Sequence, residues 1–115
     1  MPIVQLQQLA TKALTDLKAI DLTIIDIRGI TTIADTMIIC TGSSSRHVQS
    51  LAANVITEAK KQNASYLNFE GEREGEWIVV DLGDVIVHVM QPNVREFYNL
   101  EDLWEPLQLQ RGQSG

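Results

Sequence analysis

Residues 70–91, EGEREGEWIVVDLGDVIVHVMQ, contain two apolar runs, Trp77–Leu82 and Val85–Met90, separated by Gly83-Asp84. A two-residue Gly-X loop between such runs is a strong hairpin signal. With that loop as the turn, the register follows. Leu82 faces Val85, Val80 faces Val87 and Ile78 faces Val89. Side chains alternate along a strand, so these six share one face, and that face is wholly apolar core. The opposite face pairs Asp81 with Ile86, Val79 with His88 and Trp77 with Met90. It is apolar too, but carries an acid, an imidazole and an indole. It reads as an exposed surface made to be covered by something else.

The rest of the chain arranges itself around this hairpin. Residues 2–18 carry an apolar stripe at helical spacing, Leu6, Leu9, Ala10, Ala13, Leu14 and Leu17, with Pro2 suited to a helix start. Leu22–Arg28 reads as a strand in which Asp26 faces out. Gly29 to Asp35 reads as a turn. Thr36–Thr41 is a nearly continuous apolar run, which predicts a central strand buried on both faces. Gly42-Ser43-Ser44-Ser45 then offers a capping serine to a helix whose stripe is Val48, Leu51, Ala52, Val55, Ile56 and Ala59. Tyr66–Phe69 is a candidate short strand. Pro92 stops the second hairpin strand and Asn93 caps a helix over Val94–Tyr98. Arg95 is expected to pair with an acid such as Glu101 or Asp35, and Leu100, Leu103 and Trp104 to dock on the body. The order predicts an α/β fold with a mixed sheet and helices mainly on one face.

The 115 residues are one domain by size, 44% hydrophobic and 21% charged, which is ordinary for a globular chain. No run of about 18 apolar residues occurs, so no membrane span is expected. Nor does the N-terminus read as a signal peptide. The single cysteine, Cys40, has no internal disulfide partner and fits a cytoplasmic protein. The net charge is −6, and Glu70, Glu72, Glu74, Glu76, Asp81 and Asp84 crowd one stretch against Arg73 alone. Such a surface repels phosphates, which argues against direct nucleic-acid contact there. It suits a basic protein partner, or serves only solubility.

Catalytic readings find little support. The strand–GSSS–helix passage could present backbone N–H groups to an anion. A P-loop, however, needs a second glycine and a lysine, and only Arg46 is near. In nucleotidyltransferases a Gly-Ser precedes a helix and a pair of metal-holding acids follows. Here the next acid after Gly42-Ser43 is Glu58, inside the helix. Asp81 and His88 share a face without a nucleophile. His47, His88 and Cys40 lack zinc-site spacing. Cys40 reads as a small core hydrophobe, and no metal, cofactor or catalytic residue is assigned.

Asp35, the run Ile38 to Ser44, Glu70-Gly71, the block from Trp77 to His88, and Arg95 with Tyr98, Leu100-Glu101 and Leu103-Trp104 together resemble the Iojap family of ribosomal silencing factors. The block W-[apolar]3-D-x-G-D-[apolar]3-H is the most specific part. Where the family often carries an aromatic residue, this chain has Leu82. The resemblance implies a topology like that of nucleotidyltransferases without their catalytic acids, formed by residues 1–106; residues 107–115 have little to bury and read as a disordered tail. It implies a cytoplasmic protein that binds the large ribosomal subunit through that subunit's ribosomal protein number fourteen. Bound there, it blocks joining of the small subunit and lowers translation when nutrients are scarce. The free protein could self-associate through the same face.

Under that resemblance Trp77 is the apolar anchor, surrounded by Val79, Ile86 and Met90, and Leu82 is a further partner-binding residue by its place in the motif. Asp81 meets a basic residue, His88 orients or pairs with Asp81, and Glu70 belongs to an acidic rim. A degenerate nucleotide-binding protein using the Gly42–Ser45 loop, or a homodimeric adaptor, are the alternatives.

Overall fold

The computed structural model describes residues 3–99. Eight elements follow in order: α1 (Ile3–Asp16), β1 (Ile20–Asp26), β2 (Thr36–Thr41), α2 (Ser45–Lys61), β3 (Asn68–Glu70), β4 (Trp77–Asp81), β5 (Val85–Met90) and α3 (Pro92–Tyr98). The five strands form one mixed sheet in the order β1-β2-β5-β4-β3. Only β2 and β5 run parallel, so the chain leaves the sheet through α2 and returns along the far edge before closing the hairpin. The clusters expected at Leu100, Leu103 and Trp104, the Glu101 partner, and the tail from Leu107 lie outside the described residues.

The hairpin has the register that its turn dictates. Trp77 pairs with Met90, Ile78 with Val89, Val79 with His88, Val80 with Val87 and Asp81 with Ile86. Gly83 sits at φ 87°, a conformation that penalises any side chain, so the first turn position requires glycine. The Asp81 carboxylate tightens the turn by accepting the Gly83 N–H at 2.8 Å. β2 is buried at all six positions, as expected of a central strand.

One sheet face carries the main core. Ile38, Cys40, Ile78, Val80, Val85, Val87 and Val89 meet Leu6, Ala10, Ala13 and Leu14 of α1 and Val48, Leu51, Val55 and Ala59 of α2. Ser44 caps α2, accepting the His47 N–H at 3.1 Å, and Lys60 and Lys61 sit at its negative end. His47 ties the two helices together. Its Nδ1 accepts the Ser43 N–H at 2.9 Å, which leaves the proton on Nε2 to donate to the Leu17 carbonyl at 2.8 Å.

Several boundaries move. α1 ends at Asp16, because Lys18 turns left-handed at φ 61°. β1 begins earlier than Leu22 and contains an irregularity between Ile20 and Thr23, with Asp21 at φ 49°. Asp26, half-buried, holds the Arg28 guanidinium with both oxygens at 3.0 and 2.8 Å. The short edge strand is displaced toward Glu70, leaving Tyr66 in the exposed connection. Pro92 opens α3 as its first residue, since its missing N–H costs nothing there. Gln91 rather than Asn93 occupies the cap position, without a side-chain hydrogen bond.

Candidate functional site

The second sheet face gathers most of the predicted contact residues. Strand parity places Thr23 and Ile25 of β1, Met37, Ile39 and Thr41 of β2, Ile86, His88 and Met90 of β5, Trp77, Val79 and Asp81 of β4, and Asn68 and Glu70 of β3 on this side. The face is not open throughout. Ile25, Met37, Ile39, Ile86 and Met90 are buried in a second apolar cluster with Ile27 and Ala34, and Trp77, Val79 and Val94 pack against it. The expectation of an exposed second hairpin face is corrected at Ile86, His88 and Met90, which are buried. The correction has a physical cause: α3 returns over the sheet, and the loop after β1 folds Ile27 and Ala34 inward.

Arg95 fastens α3 there. Its guanidinium donates to the Asp21 carbonyl, to Thr41 Oγ1 at 3.0 Å and to Thr23 Oγ1 at 3.2 Å. Asp35, expected as its partner, is not one. Among the described residues two β-strand threonines and a backbone carbonyl accept from the fork, ties that sequence spacing could not indicate.

The part of the face still reachable lies over β4 and β3. Trp77, Val79 and Asp81 are half-buried, and Glu70 is exposed at the strand edge. Leu82 does not belong here. It is buried among the α-helix-facing residues, on the side its parity dictates, so its predicted contact role is withdrawn. Ile86 and Met90 serve as the floor under Trp77 and Val79 rather than as free contact groups.

His88 also differs from expectation. Its partner is Trp77, whose indole Nε1–H donates to His88 Nδ1 at 3.0 Å with ring centroids 5.8 Å apart. Asp81 is instead occupied by the turn backbone. Burial pushes the His88 imidazole down to about 4, so it is neutral near pH 7. Cys40 shows the same effect with opposite sign: burial pushes its thiol up to about 12, which leaves it unreactive in the main core.

Two aromatic residues extend the site beyond the sequence reading. Tyr98 lies against Trp77 at 4.7 Å between ring centroids, and Phe97 meets Tyr98 edge-on at 5.1 Å. Phe97 is 81% exposed and Tyr98 54%. Two adjacent aromatics, Phe97 and Tyr98, in the short helix expected after Pro92 were the available signal.

The acidic loop beside this face is held firmly. Ser45 Oγ donates to the Glu74 carbonyl at 3.1 Å, and Gln49 Nε2 to the Glu72 carbonyl at 2.9 Å. Gly75 is packed so closely that a Cβ would stand 2.5 Å from Ser45 Oγ and 2.8 Å from the Ser45 carbonyl oxygen. Gln91 closes the other side, donating from Nε2 to the Gly75 carbonyl at 2.9 Å. Glu72, Glu74 and Glu76 are thus exposed from a fixed backbone.

Four backbone donors at the Gly42–Ser45 passage are committed within the fold. The Gly42 N–H bonds the Met90 carbonyl, the Ser43 N–H bonds His47, and the His47 and Val48 N–H groups bond Ser44. A Cβ on Gly42 would meet Val48 Cγ2 at 2.7 Å, so packing accounts for this glycine. No three potential metal ligands cluster among the described residues, and no described helix is long and apolar enough to cross a membrane.

The arrangement is that of a small α/β protein with one sheet face spent on its own helices. The other is part core and part accessible aromatic and acidic surface. The profile of the ribosomal silencing factors, described as "Ribosomal silencing factor during starvation" (RsfS), matches residues 2–114, and the chain belongs to that family. It is 50% identical over 93 residues to the ribosomal silencing factor RsfS of Haemophilus influenzae, covering 81% of this chain and 91% of that protein. A crystal structure of a Chromobacterium violaceum protein superposes with a TM-score of 0.88 at 40% identity, covering 91% of this chain and 88% of that one. More distantly, it is 33% identical over 73 residues to the mouse protein named "Mitochondrial assembly of ribosomal large subunit protein 1", covering 61% of this chain and 32% of that protein.

Proposed function

We propose that this protein silences ribosomes by occupying space: it binds the large ribosomal subunit through that subunit's ribosomal protein number fourteen and sterically prevents the small subunit from joining. Translation falls accordingly when nutrients are limiting. The protein acts in the cytoplasm and needs no catalytic step of its own. The observation that carries this reading is the half-buried strip of Trp77, Val79 and Asp81, flanked by Glu70 and the fixed acidic loop, in a chain of the silencing-factor family. An aromatic anchor within an acidic rim suits a basic ribosomal protein. The name of the mouse relative, which refers to assembly of the large subunit, points to the same subunit. Trp77 supplies the anchor, Val79 the adjoining apolar area, Asp81 and Glu70 the charge, and Ile86 and Met90 the support beneath. Self-association of the free protein through this strip would compete with ribosome binding.

Co-sedimentation with separated subunits, followed by a subunit-joining assay, tests the proposal. Binding to the large subunit alone with joining inhibited is the expected result. Binding to neither subunit, or binding without effect on joining, refutes it.

A further inference from the structure

The two histidines of this chain are held in the same tautomer by different donors, and they end differently. A backbone N–H can only donate, so the Ser43 N–H on His47 Nδ1 places the His47 proton on Nε2, where the Leu17 carbonyl accepts it. An indole N–H also can only donate. Trp77 Nε1 on His88 Nδ1, at 3.0 Å, therefore places the His88 proton on Nε2. Among the described residues nothing accepts that second N–H. No buried side-chain nitrogen or oxygen among them lacks a partner, so Nε2 is not sealed inside the core but reaches the second face. The residue as a whole is only 9% exposed. A donor so enclosed is poorly solvated and gains much from a fixed acceptor.

From this juxtaposition we infer that His88, locked as the Nε2–H tautomer by Trp77, is a specificity-determining donor that takes one neutral carbonyl oxygen of the protein partner docked on the second face. The inference rests on the functional reading above and names the chemistry of one contact within it. Charge decides the kind of acceptor. Glu70 lies on the same face, paired with Val79, and Asp81 lies diagonal to His88 on β4. A partner carboxylate would meet both, whereas a backbone or side-chain carbonyl would not. Trp77 then has two tasks: its ring offers apolar area, and its N–H decides which hydrogen-bonding character His88 shows to the partner.

The tautomer is measured first, in the free protein at neutral pH, from the nitrogen shifts and two-bond couplings of the imidazole. Expected is a protonated Nε2 and an unprotonated Nδ1, and a Trp77→Phe variant should lose that preference. A protonated Nδ1, or an imidazolium, overturns the inference whatever the protein binds. Binding to purified large subunits is then compared for wild type, His88→Asn and His88→Gln. Asn keeps an acceptor near the Nδ1 position and lacks the outer donor, so affinity should fall about tenfold, the scale for leaving one enclosed polar partner unpaired. Gln reaches the Nε2 position with an N–H donor and should recover most of that loss. Equal binding of Asn and wild type sinks the donor role while leaving the ribosomal reading intact. Failure of wild type itself to bind overturns both. Circular dichroism of each variant shows whether the fold is retained, and if the Asn variant unfolds, the same comparison is made between Gln and His88→Leu, where Gln must bind better.

Discussion

The two faces of one hairpin are built from neighbouring residues and behave as different materials. Ile78, Val80, Val85, Val87 and Val89 meet α1 and α2 in a core of aliphatic side chains, all of it fully enclosed. One residue along, Trp77, Val79, Asp81 and His88 form a surface only partly covered by α3. Parity alone assigns each residue to its side. The first face secures the chain to itself. The second spends part of its area on folding and leaves the rest accessible; under the proposed function that rest meets the partner, so substitutions there should separate binding from stability while those on the first should not. Leu51→Ala provides the largest expected effect. Leu51 is fully buried between α2 and the sheet, and truncation should cost about 3 kcal/mol, within the range for buried leucine. Chemical denaturation measures it. A loss smaller than that of Trp77→Ala would invert the comparison.

His88 sharpens the contrast through pH. Its folded value lies at about 4 because burial disfavours the charged ring, against about 6.5 in the unfolded chain. The unfolded state therefore binds the proton first as pH falls. The contribution is fully present above about 6.5 and is lost progressively as pH drops through about 4, for a total of about 3 kcal/mol. The acids on its sheet face are Asp81 on the adjacent strand β4 and Glu70 one strand further, on β3; burial alone accounts for the lowered value. Because other carboxylates titrate in this range as well, the expected outcome is a difference: wild type should lose stability more steeply than His88→Gln between pH 6.5 and 4. Parallel curves would mean that the ring is not buried as neutral imidazole.

Much of this was legible in the chain. The Gly83-Asp84 loop sets the hairpin register, and the apolar run Thr36–Thr41 announces the buried central strand because both of its faces are covered. The helical stripes identify the covering layer. What sequence periodicity could not supply was the path of the chain after Met90. The helix expected over Val94–Tyr98 forms, starting at Pro92, but it folds back over the second face, and the ties that hold it run from Arg95 to Thr23 and Thr41, far away in sequence. The same gap explains His88. On one hairpin face both Asp81 and Trp77 lie diagonal to it. Local turn geometry claims Asp81 through Gly83, and the indole takes the imidazole. Leu82 shows a simpler failure. Its motif position suggested contact, but its parity had already placed it in the core.

Trp77→Ala probes the surface half of the comparison. The indole is half-buried, bonded to His88 and tilted against Tyr98, so its loss removes anchor area and frees both neighbours. Large-subunit affinity should fall by about 2 kcal/mol or more, the scale of an interface hot spot. Far-ultraviolet circular dichroism should keep its helical and sheet signal. A variant that unfolds would place Trp77 with the core, and the two faces would no longer differ in kind.

The smallest effect belongs to Asp81, and it separates charge from turn geometry. Its Oδ1 accepts the Gly83 N–H at 2.8 Å, so a lysine at this position would damage the turn as well as reverse the charge. Asp81→Asn keeps a carbonyl oxygen for Gly83 and removes only the charge. Stability should change by less than about 1 kcal/mol, since one hydrogen bond is weakened rather than lost. Affinity for the large subunit should fall by about 1 kcal/mol or less at low salt, with the difference shrinking as salt screens it. Association should slow more than dissociation quickens, because a rim charge steers encounter. If wild type and Asp81→Asn bind alike at every salt concentration, the charge of Asp81 faces no basic partner. Its place on the second face would then be explained by the Gly83 turn alone, and Glu70 and the fixed acidic loop would carry the electrostatic attraction.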